Sequence, residues 1–189
     1  MRKIVMAVIV LCVAVGTMIY VTSKEPSPSQ GAQSSSSLSS DAFPSWQPVR
    51  NAQWRYALRI PASLSLANKA DDASVLRYTQ DALTLEVSAE AATSLDSYIV
   101  SVDRIRATAY EGQPSITVKA EKDVTVGGQP AKEREIFLNA AGFPGMETIV
   151  FREGTTYHFS TFIAGDALTL TDEVRKLHRD MLSTVQFGS

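Results

Sequence analysis

Beyond residue 53 apolar and polar positions mostly alternate with a period of two, and two stretches switch to the three-and-four spacing of a helix. Residues 54–60 set large apolar groups against Arg and Ala until Pro61 removes a ladder donor, which predicts a strand with one buried face. Residues 75–80 and 83–87, separated by Asp81 and Ala82, predict a hairpin with Leu83, Leu85 and Val87 on one face and Thr84 and Glu86 on the other. Leu95, Tyr98, Val102, Ile105 and Ala109 then recur at helical spacing behind the capping pair Thr93 and Asp96. That stripe requires something to pack on. Gly112 and Pro114 end the helix near Tyr110 or Glu111.

Strands resume after this helix. Residues 116–120 form one candidate, and residues 122–126 join 131–138 through Gly127-Gly128, a pair that accepts the positive φ values of a tight turn. The sharpest hairpin pairs residues 147–152 with 155–163 around Glu153-Gly154. A two-residue turn there opposes positions summing to 307: Val150 to Tyr157 and Thr148 to Phe159 on one face, Ile149 to His158 on the other. Both faces look partly covered. Residues 171–186 predict a second helix, with Asp172 and Glu173 at the positive end of its dipole and Val174, Leu177, Met181 and Val185 turned inward. Strands, helix, several strands and helix, without regular alternation, predict an α+β fold: an antiparallel sheet of about six or seven strands sandwiched by helices.

Ahead of this domain the pattern is different. After Arg2 and Lys3 the chain carries no formal charge from Ile4 to Ser23. At ~1.5 Å per residue the nineteen positions 4–22 reach roughly 28 Å, close to the hydrocarbon thickness of a bilayer. Residues 1–23 therefore read as a membrane anchor, and the positive charges before it place the C-terminal bulk outside the cytoplasm. The alternative is a signal peptide cut after Ser23, which would release a secreted domain. Residues 24–45 read as a disordered linker: from Glu25 to Ser45 there are nine serines and three prolines, with Leu38 and Phe43 as the large apolar groups. Flexible-chain scaling gives it a span of roughly 25 Å. Residues 46–189 have the size of one domain.

Charge and cysteine content narrow the function classes. Taking Arg2, Lys3 and Lys24 from the 18 basic residues leaves 15 against 20 acidic ones, a formal charge of −5, which argues against nucleic acid as a partner. Cys12 is the single cysteine, so no intramolecular disulfide forms and the exported part holds neither a thiolate metal site nor a cysteine nucleophile. Leu11 before it and continued apolar sequence after it make Cys12 a small residue of the span rather than a lipidation site.

The layout resembles the PsbP/Mog-like fold family, including its exported bacterial PsbP-like members. The resemblance covers roughly residues 54–188. It rests on an aromatic strand running into Ile60-Pro61, the capped Ser94-Leu95-Asp96-Ser97-Tyr98, the turn Val126-Gly127-Gly128-Gln129-Pro130-Ala131, a late Tyr-containing hairpin, and the close Leu182-Ser183-Thr184-Val185-Gln186-Phe187. It implies an antiparallel sheet between helices and an accessory or binding role, since catalysis is not that family's common property. PsbP itself assists the lumenal oxygen-evolving side of photosystem II, and Mog members bind a nuclear GTPase. Neither role transfers: an anchor opposes the nucleus, and no photosynthetic signature matches residue by residue.

Candidate chemistry is sparse. His158 lies mid-strand opposite Ile149, and His178 stands at the edge of a helix stripe; two histidines without a clustered thiolate or carboxylate fall short of a zinc site. Asp71-Asp72, with Asn68 and Ser74 nearby, does not reproduce a calcium loop. There is no Gly-x-Ser-x-Gly elbow, and Gly127, Gly128, Gly142 and Gly145 read as turns rather than a phosphate loop. Catalytic, metal and cofactor sites are thus all read as none. Phe143, in the apparent loop 139–145, is the candidate partner contact, either an exposed anchor or a plug folded back on the core. Trp46 and Trp54 pose the same question, and alternation with Tyr56 places Trp54 in the core. The expected function is that of a membrane-anchored extracytoplasmic accessory or binding protein of the cell envelope, non-catalytic, engaging a protein partner or complex. The alternative is an extracytoplasmic hydrolase or small-ligand-binding protein whose site assembles only in three dimensions.

Overall fold

Tyr56, Leu58 and Ile60 are buried while Ala57, Arg59 and Pro61 between them are half-exposed, so the alternation read at the start of the domain is a real strand facing a core. The computed structural model describes residues 45–67, 75–109, 112–165 and 169–188. The expected leader, the linker up to residue 44, and Asn68, Asp71, Asp72 and Ser74 lie outside the described residues. Among the described residues, no helix is long and apolar enough to cross a membrane.

The chain order is β1 (Trp46–Asn51), β2 (Tyr56–Pro61), β3 (Ser65–Leu66), β4 (Val75–Gln80), β5 (Leu83–Ala91), α1 (Leu95–Arg106), β6 (Ile116–Val126), β7 (Gln129–Leu138), β8 (Phe143–Arg152), β9 (Thr155–Ile163), α2 (Asp172–Ser183) and β10 (Gln186–Phe187). The expected single sheet is in fact two. A seven-stranded sheet runs β3-β4-β5-β9-β8-β7-β6, and a three-stranded sheet runs β1-β2-β10, with every pairing antiparallel. Mostly antiparallel sheets with two helices make this an α+β fold.

Several boundaries move, each for a local reason. Residues 46–51 form a strand because they hairpin onto β2, and Trp54 falls in the intervening turn, half-buried against the core, rather than opening the strand. Residues 116–120 and 122–126 are one strand, with a register shift between Val118 and Ala120 where two were expected. Gly127 and Gly128 have φ of 55° and 78°, the two positive values that a tight hairpin turn needs. The second helix stops at Ser183, and Gln186 and Phe187 leave it to pair with Ala57 and Tyr56. In the β8–β9 hairpin the expected register holds, including Thr148 opposite Phe159 and Ile149 opposite His158.

The two faces of the large sheet are packed differently. Met146, Thr148 and Val150 of β8 share one face with Tyr157, Phe159 and Thr161 of β9, and that face meets α2 and the small sheet. Phe159, Leu58, Ile60, Val87 and Val150 lie at its centre with at most 1% exposure. Glu147 and Ile149 point to the opposite face, which α1 crosses. The expected α1 stripe packs on the sheet only in part. No residue of α1 is buried, Ile105 is 44% exposed and Ala109 is exposed. Leu95, Tyr98 and Val102 of the stripe are half-buried, and Ile99, Asp103 and Arg106 join them where Ile105 and Ala109 were expected.

Candidate functional site

All seven residues from Pro144 to Val150 on β8 are buried, because a helix or sheet covers each side of the strand. A carboxylate in such a run must be compensated, and Glu147, with no exposed surface, is compensated three times. Arg106 of α1 donates from Nη1 to both carboxylate oxygens at 3.1 and 3.0 Å, and Arg134 of β7 donates from Nη1 to Oε1 at 3.3 Å. His158 of β9 places Nε2 2.9 Å from Oε2. Arg134, 4% exposed, also grips Asp103 of α1 through Nη1 and Nη2 at 2.9 and 2.6 Å and Glu121 of β6 through Nε at 2.7 Å. Burial by itself raises the pKa of the Glu147 carboxyl. The Arg106 guanidinium, His158 and Arg134 outweigh it and hold the group well below the usual carboxylate range.

The strand β7 shows how the sequence builds this. Its Lys132-Glu133-Arg134-Glu135 alternates charge with the pleat, so the arginine goes to α1 and the two glutamates go to α2 on the other face. Glu133 accepts from Arg179 at 2.9 Å and lies 3.0 Å from Lys122 Nζ; Glu135 accepts from Arg175 at 2.8 and 3.0 Å. Both carboxyls sit below their ordinary pKa. At Glu133 desolvation pulls the other way and the Arg179 and Lys122 hydrogen bonds prevail, whereas at Glu135 the Arg175 hydrogen bond leads.

The two histidines named from the sequence are kept apart. His178, fully buried under α2, holds Thr148 Oγ1 at Nε2 and Thr161 Oγ1 at Nδ1, both at 2.8 Å. Burial pushes its imidazole down to about 4, so it is a neutral core histidine. His158 belongs to the Glu147 cluster, and Ser160 Oγ lies 3.3 Å from its Nε2. Serine, histidine and carboxylate thus converge, but both partners meet the same ring nitrogen. A nucleophile relay needs the acid on Nδ1 and the serine on Nε2, or the reverse. Ser160 is moreover 4% exposed and Glu147 is already neutralised by arginines. Among the described residues no group of three or more His, Cys, Asp or Glu side chains is arranged to hold a metal ion.

The best-formed cavity among the described residues is about 10 Å³, lined by Pro61, Leu64, Leu83, Leu85, Thr161, Leu177 and Met181 on the α2 side, and has room for about one water. Phe143 is not in a loop: it opens β8, is half-buried, and meets Phe162 edge-on at 6.4 Å and 63°. Phe162 lies over Gly145, where an added Cβ would come within 2.5 Å of its ring. Sequence reasoning named His158 but missed Glu147, Arg134, Arg106, Asp103 and Ser160.

No family model matches the chain, and no curated protein matches it. Solved structures do. The solution structure of cyanobacterial PsbP (CyanoP) from Synechocystis sp. PCC 6803 superposes with a TM-score of 0.58 at 13% identity, covering 84% of this chain and 98% of that one. The domain has a PsbP-like fold. The expected resemblance of fold is therefore a structural fact, carried at 13% identity by topology. Two further structures match less well: LpqN of Mycobacterium tuberculosis, described as involved in cell envelope biogenesis, with a TM-score of 0.46 at 13% identity over 76% of this chain and 86% of that one, and a Pseudomonas aeruginosa protein of unknown function, with a TM-score of 0.43 at 14% identity over 72% and 95%.

Proposed function

We propose that this chain is a membrane-anchored extracytoplasmic accessory protein of the cell envelope that acts by binding a protein partner. The observation that carries the reading is the closure of its most reactive groups. Glu147, His158 and Ser160 are spent on one another and on Arg106 and Arg134, and the best-formed cavity among the described residues lies on the α2 side, with room for about one water. Binding through an exterior surface needs neither a pocket nor a free nucleophile. The uncharged run after Arg2 and Lys3 supports the anchored, exported placement, and the PsbP-like fold supports an accessory role.

The test combines position and chemistry. In intact cells stripped of their outer layers, added protease should digest residues 46–189 while the full chain stays with membranes through alkaline washing. A photo-crosslinker replacing Phe143 should give one reproducible adduct with an envelope protein, lost when an excess of the untagged chain is expressed. A domain protected from protease until lysis defeats the placement. Labelling of Ser160 by a fluorophosphonate, abolished by Ser160→Ala, would favour the hydrolase instead.

A further inference from the structure

Both helices make ion pairs to the sheet, but only α2 adds fully buried side chains to them. α2 buries Val174, His178, Met181 and Leu182. α1 buries none of its twelve residues and leaves Val100 66% exposed, and a segment of that length is marginal as an isolated helix in water. Beside the half-buried Leu95, Ile99 and Val102, what ties α1 down is charge and hydrogen bonding: Asp103 on Arg134, Arg106 on Glu147, and near its start the Tyr98 hydroxyl on Glu90 at 2.5 Å.

The surface beneath it is built to match. A sheet covered by a helix normally presents apolar side chains. Here the register sets Arg77, Glu86, Ser160, Glu147, Arg134 and Glu121 opposite one another in a single row across β4, β5, β9, β8, β7 and β6. Ile136 and Ile149 add apolar contact on the same face. The row satisfies itself: Arg77 pairs with Glu86 at 2.6 Å, and Arg134 reaches both Glu121 and Glu147, which also holds His158. Removing Asp103 and Arg106 with the helix would leave each charge of the row with a sheet partner. After the helix, Gly112 has a φ of 78° and open space where a Cβ would stand, and the Ser115 amide donates to Arg106 O at 2.8 Å.

We infer that α1 is a detachable cover, latched through Asp103–Arg134 and Arg106–Glu147, over a polar sheet row that the domain can open to water without unfolding. The latch is electrostatic, so salt weakens it; salt also screens the Arg175–Glu135 and Arg179–Glu133 pairs of α2, but the buried Val174, Met181 and Leu182 still hold that helix when it does.

Hydrogen exchange read by mass spectrometry on the full chain in detergent tests this at low and high sodium chloride. Amides of residues 95–106 should exchange at least about 10-fold faster than those of 172–183, and the gap should widen with salt. Asp103→Asn should speed α1 further while α2 and β8 stay as in the parent; Val100→Lys, on the outer side of the helix, should leave the pattern unchanged. Exchange of α1 and α2 in step at both salt levels overturns the inference. So does an Asp103→Asn effect spread evenly over α2 and the strands, or a fast α1 indifferent to both salt and Asp103→Asn.

Discussion

At the scale of single residues, two side chains carry predictions of opposite kinds. His178 is neutral in the fold, with its imidazole pushed down to about 4, whereas in the unfolded chain it titrates near the ordinary value of about 6.5. Above that pH both states are neutral and the group is silent. As pH falls below it the unfolded chain gains a proton that the fold refuses, so stability declines between about pH 6.5 and 4, by up to about 3 kcal/mol from this group. Urea unfolding across that window should show the decline, and His178→Gln should flatten it while lowering stability at neutral pH. Gly145 is the second case. A Cβ there meets Phe162 Cδ1 at 2.5 Å and Thr161 O at 3.1 Å, so Gly145→Ala should cost about 1–3 kcal/mol. Phe162→Ala in the same chain should recover part of that loss, because the ring is what the methyl strikes; additive effects in a double-mutant cycle would contradict the geometry.

Among the elements, β7 is the one on which both helices depend, through Arg134 on one face and Glu133 and Glu135 on the other. Arg134→Met leaves Glu147 buried with one fewer partner and Asp103 without its bidentate donor, and should destabilise by about 3–5 kcal/mol in chemical denaturation. Arg134→Met combined with Glu147→Leu should cost less than the two changes summed, since the second removes the charge that the first strands. The sequence told much about elements with strong local signals. The two-residue turn at Glu153-Gly154 set the whole β8–β9 register, and the apolar positions Val174 and Met181 marked the inner side of α2. It did not tell that the α1 stripe would stay half-exposed, because Asp103 and Arg106 sit on the same side of the helix and their partners are 31 and 41 residues away. Glu121, Arg134, Glu147 and His158 come from four strands, and only the register brings them together. The one local trace was the Lys-Glu-Arg-Glu alternation of β7, charge with a period of two inside an otherwise apolar strand.

For the whole molecule the question is what joins the small sheet to the large one, and the last described residues supply much of the answer. β10 pairs with β2, Thr184 Oγ1 accepts from the Arg59 amide at 2.8 Å, and the Phe187 ring lies 4.7 Å from that of Tyr157 on β9. The same ring fills the space over Gly127 at the β6–β7 turn, so one side chain of the small sheet touches two separate hairpins of the large sheet. β10 was invisible in the sequence for a simple reason: two residues have no period, and pairing alone makes them a strand. Its weight is nevertheless global. Phe187→Ala removes an aromatic contact at the junction and should cost about 3 kcal/mol, measured by thermal or urea unfolding of the full chain. Gly127→Ala should mimic it without touching Phe187, since its Cβ would lie 2.9 Å from that ring on a backbone with φ of 55°. If both variants unfold like the parent, the junction is not where the two sheets are held, and the core around Leu58, Ile60 and Phe159 must hold them without help from the chain's last turn.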